Sequence, residues 1–368
     1  MPVSTHTSRL QHPGRRPLTA HQAGLAQSSH LESMTLLRQC DADALSRVVL
    51  ILWLAGQIVL SFGCHSTQSR SYPSKPIRLI VQTVPGGLSD AVSRVMASQL
   101  ELQLGVPVVC ENRPGAAGAV AFLYVVRQRP DGYLLGHGPV EIAMVQALGL
   151  AQVGPKDMDL LCLVSMSDPV LAVHSASSWK TFNALVESAR TRPGYYIIGN
   201  SGTGSIWHIN ALLLEEATRT QFVHCPFGGS AAAITALLGR HVDAVVAGAG
   251  EVAPYVQAGS LRALAVFSAQ RSPVLPDVPA VRELGWDFGT PAWSGFYAPK
   301  GLPDPVRSRL VGAFKKAFES EAFQRLCRER GMRAVFLGPD EFRVFVDGQT
   351  QFFESAIPRL ITRAWAVQ

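Results

Sequence analysis

Three short stretches carry the residue types best suited to holding an anion without reacting with it. The first is Pro85-Gly86-Gly87, followed by Ser89-Asp90. The second is Gly202-Thr203-Gly204-Ser205, with His208 three residues on. The third is Phe227-Gly228-Gly229-Ser230. Each follows a short apolar run and precedes apolar residues at helical spacing, so each joins the carboxyl end of a strand to the amino end of a helix. Free main-chain N–H groups and the positive end of the helix dipole face outward there. Glycine lacks a Cβ, so a ligand can approach the main chain closely. The hydroxyls of Thr203 and Ser205 add donors. The plain alternative is a tight turn that binds nothing. Ser89 or Asp90 is the expected N-cap of the first helix. If Asp90 faces a cleft instead, it repels an anion and accepts a hydrogen bond from an amino, amide or hydroxyl group.

Patterns for chemistry fail on inspection. A nucleophile elbow needs G-x-S-x-G, but Gly199-Asn200-Ser201-Gly202 is followed by Thr203. A hydrolase using Ser201 or Ser205 with His208 therefore stands only as a rival. Neither a Walker A motif nor H-E-x-x-H occurs. Gly248-Ala249-Gly250-Glu251-Val252-Ala253 fits the loose G-x-G-x-x-A form, without the early βαβ position and the later acidic residue of a dinucleotide site. His208 and His224 lack an evident carboxylate orienter and read as capped or core histidines. Cys110, Cys162, Cys225 and Cys327 are far apart with no C-x-x-C, which argues against zinc and suits small core residues; pairing in an exported protein stays open. The expectation is no catalytic residue, no cofactor and no metal.

The elements that must position these corners alternate along the chain. Strands are expected at 77–81, 106–110, 134–136, 195–198, 222–224, 242–247, 261–267 and 293–298. Two short apolar runs lie within 160–173. Helices are expected after Asp90, at 119–127, 182–191, 206–218 and 231–238, twice within 303–331, and from Pro339 onward. This alternation means an α/β architecture with largely parallel sheets. The break at Ser165–Asp168 reads as a crossing between two domains, 71–167 with 292–368, and 168–291.

The lead is different in kind. Residues 1–47 show no sustained period, and Met34 suits a true start. Val48–Leu60 has only Gln57 polar, too short for a membrane span and suited to a signal-peptide core behind positive charge. Ser61-Phe62-Gly63-Cys64 resembles a lipoprotein cleavage box in which Cys64 is lipidated; an ordinary signal cut nearby, or a short anchor, is the alternative. Residues 1–70 are thus a disordered lead plus signal peptide, and the protein is expected in the periplasm. Of the net charge of +6, half belongs to this lead, where six arginines face Glu32, Asp41 and Asp43. The rest has no basic run, which disfavours nucleic acid. Hydrophobic residues at 47% and charged residues at 16% describe a chain with a substantial core.

YPSKPIRLIVQTVPGGLSD, VPVVCENRPGAAG and PDGYLL, followed by GNSGTGSIWH, GRHVDAVVAG, AGSLRALAVFSAQRSPVLPDVPAV and WSGFYAPKGLP, resemble in order the substrate-binding proteins of tripartite tricarboxylate transporters, the Bug receptors. The resemblance runs from about Tyr72 to the C-terminus. It implies a type II-like periplasmic-binding-protein fold of two α/β domains with mixed, largely parallel sheets joined by crossover strands. It also implies a monomer that delivers a small carboxylate to a membrane permease; a ligand sensor of the same fold, signalling to a membrane receptor, is the alternative. Carried over by motif, Pro85, Gly86, Gly87, Ser89 and Asp90 line one wall of the cleft. Gly202, Thr203, Gly204, Ser205 and His208 line the other, with Phe227, Gly228 and Ser230 beside them. Pro226-Phe227-Gly228-Gly229 stands where Pro-Tyr-Lys-Gly is usual, Trp207 is bulkier than usual, and the segment before Lys156-Asp157 is shortened. These departures imply a less charged or aromatic ligand, or a paralogue with little affinity for common acids.

Overall fold

The apolar run after Pro76 becomes strand β1 (Ile77–Val81), and its alternation decides the layering. Ile77 and Leu79 face helix α1 (Leu88–Leu104), while Ile80 lies on the opposite face with Phe122 of α2 (Ala119–Val126). A strand covered on both faces reads as a continuous apolar run, as this one does. The structure is a computed structural model that describes residues 47, 49–51, 53 and 72–365, and the chain divides into residues 1–69 and 70–368. In the first unit the described residues are helical and exposed. Cys64, Met34 and most of the expected lead lie outside the described residues.

In the second unit β2 (Val108–Asn112), β3 (Leu134–Pro139), β4 (Met158–Ser167), β10 (Ala292–Pro299) and β11 (Arg333–Leu337) join β1 in a six-stranded sheet, ordered β11-β4-β10-β3-β1-β2. The other sheet has the order β7-β6-β8-β5-β9. It contains β5 (Pro169–His174), β6 (Ile197–Asn200), β7 (Val223–Pro226), β8 (Ala244–Gly248) and β9 (Leu261–Val266). Each sheet with its helices is called a lobe below. Both sheets are mixed. β2, β1 and β3 are parallel, as are β7, β6 and β8, but every pairing of β4, β5 and β10 is antiparallel. Strand–helix alternation marks only the parallel half. β4, β5 and β10 carry the chain from one sheet to the other and run against their neighbours.

Helices α3 (Phe182–Thr191) and α4 (Ile206–Thr218) have their expected bounds, because side-chain caps fix them: Thr181 Oγ1 accepts from Ala184 N at 3.2 Å and Ser205 Oγ from His208 N at 3.3 Å. The start of α1 differs. Its N-cap is Gly87, and Asp90 sits inside the first turn. Several strands lie one to two residues further along than their apolar runs suggest, and β11 carries too weak an apolar signal to be read in advance. α5 (Ser230–Leu238) and α6 (Ala249–Gln257) cover the second sheet; α7 (Asp304–Glu319), α8 (Glu321–Glu329) and the long α9 (Pro339–Trp365) belong with the first.

The two lobes share buried contacts. One apolar cluster runs from Phe122 and Phe342 through Val140–Val145 and Trp207 to Phe182 and Leu264. α9 reaches across, with Arg359 paired to Glu216 of α4. Fully buried Asn210 of α4 donates to the carbonyl of Thr290 and accepts from its N–H, both at 3.0 Å, fixing the helix to the segment that leads back into β10. Cys110, Cys162, Cys225 and Cys327 are all free thiols. Cys162 and Cys327 are buried and the other two half-buried. Among the described residues, no helix is long and apolar enough to cross a membrane.

Candidate functional site

The first corner leaves β1 at buried Gln82, whose side chain donates to Ser89 Oγ (3.2 Å) and meets His137 Nδ1 (2.8 Å). Pro85, Gly86 and Gly87 are exposed, and a Cβ on either glycine would touch nothing within 4 Å. Gly86 also needs its freedom, at φ +92°. Asp90 is only 4% exposed. Its carboxylate accepts from Gly86 N, Arg94 Nε and Asn112 Nδ2, each at 2.9 Å. Burial pushes the Asp90 pKa up, but Arg94, the Gly86 N–H and Asn112 outweigh it and leave it lowered. Asp90 therefore stiffens the corner as an ionised group.

The second corner spends most of its donors internally. Gly202 N donates to Asn200 Oδ1 (3.0 Å), Gly204 N to His208 Nδ1 (3.1 Å) and Ser205 N to the Gly202 carbonyl (3.1 Å). Thr203 is exposed. Burial, with His224 alongside, lowers the His208 pKa to about 4, so the ring is neutral and its Nδ1 serves as an acceptor. That leaves Ser205 as a cap, not a nucleophile with a base on its hydroxyl. His224 does have a carboxylate beside it, Glu215 Oε1 at 3.2 Å from Nε2, where the sequence showed no candidate.

The third corner is stitched to the second: Phe227 N donates to the Asn200 carbonyl at 3.0 Å. Gly228 is exposed and open. Ser230 is buried, and its hydroxyl acts to lower the pKa of the Glu251 carboxyl, which accepts from Gly248 N at 3.0 Å. Burial raises the Glu251 pKa against those bonds and the field of Arg330. The Gly248–Gly250 motif thereby finds its explanation. A Cβ on Gly250 would lie 1.7 Å from the Arg330 carbonyl oxygen, so that glycine admits a second piece of main chain, not a dinucleotide.

The structure thus brings the second and third corners together in one lobe and puts the first on the other. The link across is a segment that the sequence reading passed over. β3, the parallel neighbour of β1, runs into a 3-10 turn at Val140–Ala143. Glu141 lies in that turn, where burial raises its pKa and the main-chain N–H groups of Glu141 and of Ile206, the first residue of α4, lower it. Leu148 from the same segment would lie 3.3 Å from a Cβ on Gly204. One signal was available: Glu141 is the only charged residue between Asp131 and Lys156, and it follows the carboxyl end of a strand.

Comparison with known proteins agrees with this geometry. The model of the tripartite tricarboxylate transporter family receptor (TctC) matches residues 92–358. The chain belongs to that receptor family. It is 32% identical over 307 residues to protein BugT of Bordetella pertussis, covering 82% of this chain and 94% of BugT. The solved periplasmic binding protein BugD is 26% identical with a TM-score of 0.70, covering 78% of this chain and 98% of BugD. Rpa4515 of R. palustris, solved with adipate, is 25% identical with a TM-score of 0.71, covering 78% and 98%. The fold is that of the type II periplasmic binding proteins, and BugD is named as one such binding protein.

Proposed function

We propose that this receptor is exported to the periplasm and captures a small organic carboxylate between its lobes for a permease of the tripartite tricarboxylate type. It does no chemistry on its solute and acts as a monomer. The carboxylate takes main-chain N–H groups and hydroxyls from Pro85–Asp90, Gly202–Ser205 and Phe227–Ser230, and the domains 71–167 with 292–368, and 168–291, close about Ser165–Pro169 and Pro291–Trp293. The free energy comes from the solute's higher affinity for the closed form. The exposed apolar helical residues 49–51 and 53 suit a signal-peptide core, and Cys64 is the proposed lipid anchor. The observation that carries the reading is that glycines with open space around them stand exposed at Pro85–Asp90 in one lobe and at Phe227–Ser230 in the other. The adipate in Rpa4515 supports the solute class.

The test is thermal denaturation and calorimetry against a panel of mono-, di- and aromatic carboxylates. A true solute at a hundred times its Kd adds about 2.7 kcal/mol of stability. If no member of the panel raises the melting temperature, the reading falls.

A further inference from the structure

Two buried polar side chains stand beneath the open first corner. Gln82 follows β1 and is 5% exposed; His137 lies in β3, the parallel neighbour, and is 1% exposed. The His137 ring meets the fully buried Phe296 ring edge-on, with centroids 5.4 Å apart. Its Nδ1 lies 2.8 Å from Gln82 Oε1, and Gln82 Nε2 lies 3.2 Å from Ser89 Oγ. Its Nε2 is buried with no hydrogen-bond partner among the described residues.

These contacts give the protons a direction. A neutral imidazole has one N–H and one bare nitrogen. Interiors orphan an N–H more rarely than an acceptor, so the unpartnered Nε2 is the bare nitrogen and the proton sits on Nδ1. That N–H donates to Gln82 Oε1, which turns the amide nitrogen toward Ser89. Nε2 of Gln82 can only donate, so Ser89 Oγ accepts, and its own hydrogen must point elsewhere. The adjacent Asp90 carboxylate is engaged by Gly86, Arg94 and Asn112. Among the described residues, Ser89 Oγ has no second hydrogen-bond partner. Burial holds the His137 pKa down to about 3, so the ring stays neutral and the direction does not change at ordinary pH.

We infer that His137 and Gln82 are positioning residues for solute capture: through the chain His137–Gln82–Ser89 they hold the Ser89 hydroxyl as a donor, free for an acceptor at the open corner. The inference rests on the carboxylate reading above and names what sets specificity in the first lobe. A serine hydroxyl left to itself donates or accepts as its partner requires. With its oxygen occupied from the interior, Ser89 favours a group that only accepts, as an ionised carboxylate does. It disfavours a group that must donate, as an ammonium does.

The experiment uses the full chain. With 15N-labelled histidine and no solute, long-range 15N–1H spectra show which His137 nitrogen holds the proton, the signals being assigned by proximity to the Phe296 ring. The proton is expected on Nδ1. A proton on Nε2 reverses the amide and overturns the inference while leaving the carboxylate reading intact. Calorimetry with adipate, with hexanoate and with any other member of the carboxylate panel that binds is then read on four proteins. These are the parent, Ser89→Ala, Gln82→Met and the double variant, each first shown to melt cooperatively. Ser89→Ala is expected to weaken binding about tenfold and Gln82→Met about threefold. In the Ser89→Ala background Gln82→Met is expected to add no loss, because it acts through the hydroxyl. Equal losses in both backgrounds, as a merely loosened corner would give, overturn the positioning role, and so does no loss in either. If Gln82→Met fails to fold, the tautomer and Ser89→Ala decide: Ser89→Ala binding as tightly as the parent overturns it. If no carboxylate binds the parent, the carboxylate reading itself falls, and the role of Ser89 with it.

Discussion

Pro85–Asp90 and Gly248–Gly250 look alike in sequence, each with glycines between a strand and a helix. Their surroundings are opposite. Gly86 and Gly87 have open space where a side chain would go, whereas Gly250 has the Arg330–Gly331 backbone pressed against it. Gly331 returns the favour, with Gly250 Cα 2.4 Å from its own hypothetical Cβ. One corner leaves room for something from outside, and the other is filled by the opposite lobe beside the crossing at Asp168, where Arg333 pairs with Asp168 at 2.9 Å. Glycine at a strand end reports that something must come close. It does not report what. The second corner lies between these extremes, since its donors are real but mostly taken.

The sharpest way to break the comparison is a pair of alanines. Gly250→Ala forces two backbones apart and is expected to cost about 3 kcal/mol or more, read from denaturant unfolding. Gly87→Ala, at φ −78° with nothing nearby, is expected to stay within about 0.5 kcal/mol. Equal losses would mean that the two corners are alike after all.

The second corner gives a smaller effect with a definite sign. Folding lowers the His208 pKa from 6.5 to about 4, so the unfolded chain takes up its proton first as pH falls. The contribution is fully present above pH 6.5 and is lost as pH drops towards 4. Partial exposure trims it to on the order of 2 kcal/mol. Melting curves for the parent and His208→Gln between pH 7 and 4 should converge toward the acid end; a constant gap would show that the ring does not sit neutral against Gly204. A smaller change than that of the histidine is expected for Ser205→Ala. Removing the cap of α4 costs about 1 kcal/mol by denaturant unfolding, and a loss below the error of measurement would mean that the Ser205 hydroxyl does not secure that helix end.

Local chemistry made the elements legible. Caps at Thr181 and Ser205 set helices to the residue, and the run Ile77–Val81 could only be a buried strand. The ordered motifs from Tyr72 onward sufficed for the family. The antiparallel halves of both sheets were not legible, because β4, β5 and β10 take their direction from which lobe they enter and not from their composition. Asp90 could be singled out as a carboxylate at a glycine corner, but Arg94 and Asn112, which engage it, lie one and several turns of chain away, and only folding places them.

The sequence alone determined an α/β receptor with three donor-bearing corners, because capping, hydrophobic period and glycine placement act over a few residues. Which corner stays open and which is filled by main chain were decided by tertiary structure. Gly250 and Arg330 stand far apart in the chain, and no local preference brings them together.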